Sequence, residues 1–169
     1  PLYDTIPGNG VSITFGPDAN LLNGPCDKIL SLKFNFQACP NPSQISVLLR
    51  NAASPYAVVD SVVATGGGNV LKPVYFENAG NGTAYYVVVK SVNSIETWSS
   101  STVTFNGGSA SYDFTTDINK AYGNNQILIG GIPSIYQGDA NQDGFDNTTD
   151  VIATYNDASA FTTSTSTDF

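Results

Sequence analysis

Leu30-Ser31-Leu32-Lys33-Phe34-Asn35-Phe36 alternates apolar and polar residues without a break. Successive side chains of a β-strand point to opposite faces. The run therefore puts Leu30, Leu32, Phe34 and Phe36 on one face for burial and leaves Ser31, Lys33 and Asn35 on the other. The same period appears upstream, where Val11, Ile13 and Phe15 alternate with Ser12 and Thr14, and downstream at Ile45, Val47 and Leu49.

Further strands are expected over residues 56–64, rich in Val, and 70–76, where Pro73 marks an edge strand or a bulge. Residues 84–90 (Ala-Tyr-Tyr-Val-Val-Val-Lys) are aromatic and β-branched throughout, as a central strand requires. Short strands follow at 97–99, 102–105 and 112–114. Turn signals separate these runs: Gly16-Pro17-Asp18, Gly66-Gly67-Gly68 and the Asn/Gly segment 78–82. Strands at this spacing predict an all-β chain with an antiparallel, immunoglobulin- or fibronectin-III-like β-sandwich over residues 11–115. Residues 1–10 form an extended N-terminal arm. Residues 116–137 form a linker in which Ile127-Leu128-Ile129 is a candidate last strand.

A different chemistry begins at residue 138. Oxygen side chains fall at Asp139, Asn141, Asp143, Asn147 and Asp150, which are positions 1, 3, 5, 9 and 12 counted from Asp139. Gly144 stands at position 6, where an EF-hand-type loop turns sharply. Phe145, at position 7, would offer its backbone carbonyl. This spacing wraps oxygens round one point, which suits Ca²⁺, a hard cation taking six to eight oxygen ligands. The alternative is an Asx-rich turn without an ion. Asp146 is expected to face solvent. A two-turn helix over residues 149–156 would place Val151, Ile152 and Tyr155 on one face. Residues 138–161 thus form a calcium loop and helix, and 162–169 a Ser/Thr-rich tail.

Composition excludes several classes. Net charge is −8 with only six basic residues, a poor match for nucleic acid or an anionic membrane. No run of about 18 apolar residues exists to span a membrane as a helix. Histidine is absent, which removes Ser-His-Asp and Cys-His catalysis. Glu77 and Glu96, the two glutamates, fall on different strand ends and make a poor glycosidase pair. Cys26 and Cys39, 13 positions apart, are too few for a zinc site. A disulfide between them, tying the entry of the Leu30–Phe36 strand to its exit, is expected in an oxidising compartment; the alternative is two free thiols. The chain begins at Pro1 without a signal peptide, as a processed product or an excised fragment would. Trp98 with Tyr85 and Tyr86 is a candidate platform for sugar, against the commoner reading of core and cross-strand aromatics.

Two blocks carry a resemblance. Residues 49–56 (Leu-Arg-Asn-Ala-Ala-Ser-Pro-Tyr), 81–90 (Asn-Gly-Thr-Ala-Tyr-Tyr-Val-Val-Val-Lys) and 94–99 (Ser-Ile-Glu-Thr-Trp-Ser) resemble a sandwich repeat of secreted bacterial surface proteins. Tyr-Asp-Phe-Thr-Thr at 112–116 and the loop and helix at 138–161 are similar to the segment and dockerin-like region that follow it there. Asp150 at position 12, one carbon shorter than the glutamate of an EF-hand, is also dockerin-like. Two departures stand out. One calcium loop is present where dockerins carry two, and Asp146 occupies position 8, which is usually aliphatic. A single helix lacks the two-fold surface that dockerins use for docking.

These readings lead to a secreted, non-catalytic structural protein at the bacterial surface or outside the cell. The arm bearing Val11, Ile13 and Phe15 would either close its own sandwich or add as a strand to a neighbour's sheet edge, building a homo-oligomer or polymer. The alternative is an accessory or docking module of a larger secreted enzyme or adhesin, binding carbohydrate, or a protein partner through the dockerin-like helix.

Overall fold

The computed structural model describes residues 28–38, 44–64 and 69–159. In chain order the strands are β1 (Lys28–Lys33), β2 (Ile45–Asn51), β3 (Val58–Ala64), β4 (Lys72–Phe76), β5 (Ala84–Ser91), β6 (Thr97–Trp98), β7 (Val103–Thr104), β8 (Ser109–Asp113), β9 (Ile127–Ile129) and β10 (Ile132–Ser134). Among the described residues one α-helix, α1 (Thr148–Ser159), follows. The described chain is mainly β-sheet with a single short helix towards its C-terminal end, in keeping with an all-β reading. The expected arm and strand at Val11, Ile13 and Phe15, the Cys26–Cys39 pair, the Gly66–68 turn and the Ser/Thr tail lie outside the described residues.

Three sheets are built from these strands, one of them the two-stranded pair β10-β9. A three-stranded sheet runs β4-β1-β8, and a larger one runs β3-β2-β5-β6 with β7 also paired to β5. The alternation in the sequence decides which face is buried. Leu30, Leu32, Phe34 and Phe36 join Ile45, Val47 and Leu49 of β2 and Val87 and Val89 of β5 in one buried cluster. β5 is central, held by β2 on one side and by β6 and β7 on the other. Among the described residues β4 pairs only with β1, so Pro73, which cannot donate to a ladder, sits on an edge strand.

The pairing is not antiparallel throughout. β1 runs parallel to β8, with Ile29 opposite Ser109 and Leu32 opposite Tyr112. The cause is a change of sheet. β7 belongs with β5, and the chain then turns at Gly107 and Gly108, both at positive φ, before β8 lies beside β1. Glycine meets that conformation at no steric cost. Beyond β1, Phe36 makes a second parallel bridge to Ile135.

Residues 116–137 hold more than the candidate strand. Ile127–Ile129 pairs with β10 in a hairpin, while Ala121, Gln126 and Ile135 are buried. The helix is longer than the expected two turns. Asn147 caps it, its Oδ1 accepting from the Thr149 N–H at 2.8 Å, and it continues to Ser159. Val151, Ile152 and Tyr155 are all exposed, so the apolar face read from the spacing is left uncovered among the described residues.

Candidate metal centre and the outer sheet face

The loop after β10 is closed by its two end carboxylates, both buried. Asp139 accepts from the backbone N–H groups of Asp143 (2.9 Å) and Gly144 (3.0 Å). Asp150 accepts from those of Asn141 (3.1 Å) and Asn147 (2.8 Å). Gly144 turns the chain at φ 87°, as position 6 demands. Asn141 Oδ1 shares the Asp143 N–H with Asp139. Asp143 is exposed; its carboxylate takes the Phe145 N–H at 2.9 Å and the Asn141 side-chain amide at 3.1 Å. Asn147 Oδ1 is engaged as the helix cap, and the Phe145 ring faces solvent.

Only the two end carboxylates, Asp139 and Asp150, are thus buried against backbone N–H groups, while Asn141, Asp143 and Asn147 are exposed. Among the described residues, no three acidic or thiol side chains stand close enough together to hold an ion. The donor set itself is all oxygen and suits a hard divalent cation. Each carboxylate oxygen has a second lone pair left after taking one N–H. Asp146 is exposed but does not simply reach into water. Its carboxylate folds back over Gly138, where a Cβ would lie 2.6 Å from Oδ1.

The Asn147 N–H, aided by that of Asn141, holds the Asp150 carboxyl below the usual carboxylate range, against the opposing effect of burial. A carboxyl lowered on folding stabilises the loop fully above its unfolded pKa. That contribution is lost as pH falls through the lower, folded value. In calcium-free buffer, the loop and the start of α1 are expected to open only below about pH 4. Amide exchange of residues 139–150 against pH checks this; opening already at neutral pH would show that Asp150 does not close the loop.

The loop is tied to the larger sheet through Asn93 and Gln142. The Gly138 N–H donates to Asn93 O at 2.8 Å, and Gln137 bridges to Ser94. The Gln142 side-chain amide donates to Val92 O (2.6 Å) and Ser91 O (3.1 Å) at the end of β5. Gln142 adopts φ 61°, which for a residue with a Cβ is uncommon and aims this side chain. Gln142→Ala should cost roughly 1–2 kcal/mol of local stability. Its readout is about tenfold faster exchange over residues 139–150 with β5 amides unchanged.

The outer face of the larger sheet carries a second cluster. Arg50 lies opposite Tyr86, and Val88 opposite Trp98. Tyr85, the alternate residue, is buried instead, its hydroxyl accepting from the Gly80 N–H at 2.8 Å. The platform read as Trp98, Tyr85 and Tyr86 thus loses Tyr85 to the core. It gains Tyr56, from the β2–β3 turn, and Tyr122. Tyr56 stands 6.1 Å from Tyr86 and 6.3 Å from Trp98, ring centre to ring centre. Tyr122 arrives because Ala121 bridges to Ser99 and the Ser100 N–H donates to Lys120 O. Nothing in the sequence near Tyr56 or Tyr122 signals this meeting, since both lie in turns far from Trp98 along the chain. Comparison with family models, with curated proteins and with solved structures gave no match.

Proposed function

We propose that this chain is a secreted, calcium-stabilised structural protein without catalytic activity. It builds an extracellular filament or surface layer from immunoglobulin-like sandwiches that donate a strand to one another. The observation that carries this reading is an open apolar cleft of about 590 Å³ between β3 and β4. Among the described residues both are edge strands, β3 pairing only with β2 and β4 only with β1. Phe34, Ile45 and Val74 line the floor of the cleft, while Val63 and Leu71 on its walls are 65% and 58% exposed. Apolar edges of this kind invite another strand. The alternation of Val11, Ile13 and Phe15 in the sequence would supply such a strand, and a head-to-tail contact of this sort propagates.

The loop adds calcium to this reading. Asp139, Asn141, Asp143, Asn147 and Asp150 would hold the ion by side chains and Phe145 by its carbonyl. The ion would supply positive charge to a cluster of carboxylates and so stabilise the C-terminal segment. The exposed Val151, Ile152 and Tyr155 face of α1 offers a place for a protein partner. Among the described residues no helix is long and apolar enough to cross a membrane.

Light scattering of the full chain and of a variant lacking residues 1–16, with and without millimolar calcium, tests the assembly. The full chain is expected to polymerise. The truncated chain should remain an unstable monomer that a peptide of the missing segment stabilises. A full chain that stays monomeric at high concentration with calcium, or a truncated chain that still polymerises, refutes strand donation. Calorimetry showing no calcium binding at millimolar concentration refutes the metal site separately.

A further inference from the structure

The outer-face aromatic cluster surrounds a pocket of about 320 Å³, lined by Tyr56, Tyr86, Trp98, Ser99 and Tyr122. We propose that this pocket binds one or two rings of a neutral hexose chain, with Trp98 and the three tyrosines as the contact surface. The site is independent of the calcium loop and of strand donation.

Its geometry is held in place from behind. The Trp98 indole N–H donates to Glu96 Oε1 at 2.7 Å, and the Arg50 guanidinium lies 4.8 Å from the Trp98 ring centre. Arg50 also reaches Glu96 at 3.8 Å and donates to Tyr56 O at 3.3 Å. One arginine thus connects the tryptophan, its carboxylate partner and the turn that carries Tyr56. Tyr56 stands at φ 55°, a conformation uncommon for a residue with a Cβ. Tyr122 is 72% exposed, so its ring is free to cover a ligand from the solvent side.

The chemistry of the lining selects among ligands. A cation is disfavoured because Arg50 already occupies the π-face interaction of Trp98 and places positive charge beside it. An anion is disfavoured because Arg50 is paired with Glu96 and the chain carries −8 overall. A purely apolar ligand would leave the tyrosine hydroxyls unused. The core tyrosines spend theirs on the backbone, Tyr85 with Gly80 N–H and Tyr112 with Ser100 N–H and Lys120 O. The hydroxyls of Tyr56, Tyr86 and Tyr122 have no hydrogen-bond partner among the described residues. Aromatic rings with free hydroxyls match a ligand whose C–H faces are apolar and whose edges carry donors and acceptors together. A sugar ring has that character.

Trp98 is the one tryptophan in the chain, so its fluorescence reports the pocket directly. Titration of the full chain with cellohexaose, maltohexaose and mannohexaose is expected to give a saturable change with at least one, half-complete on the order of 1 mM or below. Tyr122→Ala should weaken that ligand at least about tenfold, with unchanged melting because the ring is exposed; Tyr56→Phe should weaken it less. Removing calcium or residues 1–16 should leave it unchanged. No saturable response to any of the three sugars overturns the proposal. So does a response to a proline decapeptide alone, or full affinity in Tyr122→Ala.

Discussion

Replacing Phe105 with alanine is expected to destabilise the protein by about 3–5 kcal/mol. Phe105 is fully buried where the chain leaves the larger sheet and enters the smaller one. Its ring centre lies 6.5 Å from that of Phe76 on β4 and 6.1 Å from that of Tyr85 on β5. One ring therefore touches an aromatic residue of each sheet, and its removal opens a cavity that neither rigid sheet can close alone. Its backbone carbonyl also accepts from the Gly82 N–H at 2.9 Å, a bond the substitution leaves intact. The loss is a large share of the roughly 5–15 kcal/mol that holds most domains folded. It corresponds to a fall in melting temperature of about 6–20 °C. Phe105→Leu, which fills most of the space, should cost much less. Chemical denaturation of both variants checks this; a loss below about 1 kcal/mol for the alanine variant would mean that the sheets do not meet at this ring.

Ile135→Ala is expected to cost about 2–5 kcal/mol and to loosen the C-terminal loop at the same time. Ile135 is fully buried in the common cluster, although it follows the short β9–β10 hairpin. Its N–H donates to Asn35 O at 2.8 Å, and its carbonyl accepts from the Gln37 N–H at 3.0 Å. Those bonds hold the backbone, but the side chain fixes how deeply the segment sits. Gln137 and Gly138, two and three residues on, start the contacts that dock the Asp139–Asp150 loop. Hydrogen exchange should therefore quicken over residues 137–150 in this variant as well as global stability falling. Unchanged exchange in the loop, with only global destabilisation, would show that the loop is held by Asn93 and Gln142 alone.

Period-2 alternation told which residues are buried. It put Leu30, Leu32, Phe34 and Phe36 in the core, and the run of valines identified β5 as central. Alternation carries no information about which strand lies alongside or in which direction. The parallel pairing of β1 with β8 was therefore not legible, since it depends on the glycine turn that moves the chain between sheets. Ile135 gave no signal because a single buried residue after a three-residue strand has no period. In the loop, Gly144 was legible because position 6 admits few alternatives. The grip of Gln142 on Ser91 and Val92 was not, because a side-chain amide can reach many carbonyls and the sequence names none. The aromatic cluster was half legible: Trp98 and Tyr86 stood out as strand aromatics, although Tyr85 was grouped with them, whereas Tyr56 and Tyr122 come from turns.

The link between Asn35 and Ser134 spans 99 residues of chain. A ribosome adding about 5–20 residues per second makes the second partner roughly 5–20 s after the first. During that delay the stripe Leu30, Leu32, Phe34 and Phe36 has β4 beside it early, β8 later, and Ile135 last of all. The nascent chain must therefore carry an incompletely covered apolar strand until residue 135 has been made. Binding by a chaperone, or slow cooperative closure once residue 135 is free, becomes part of how this molecule reaches its folded state.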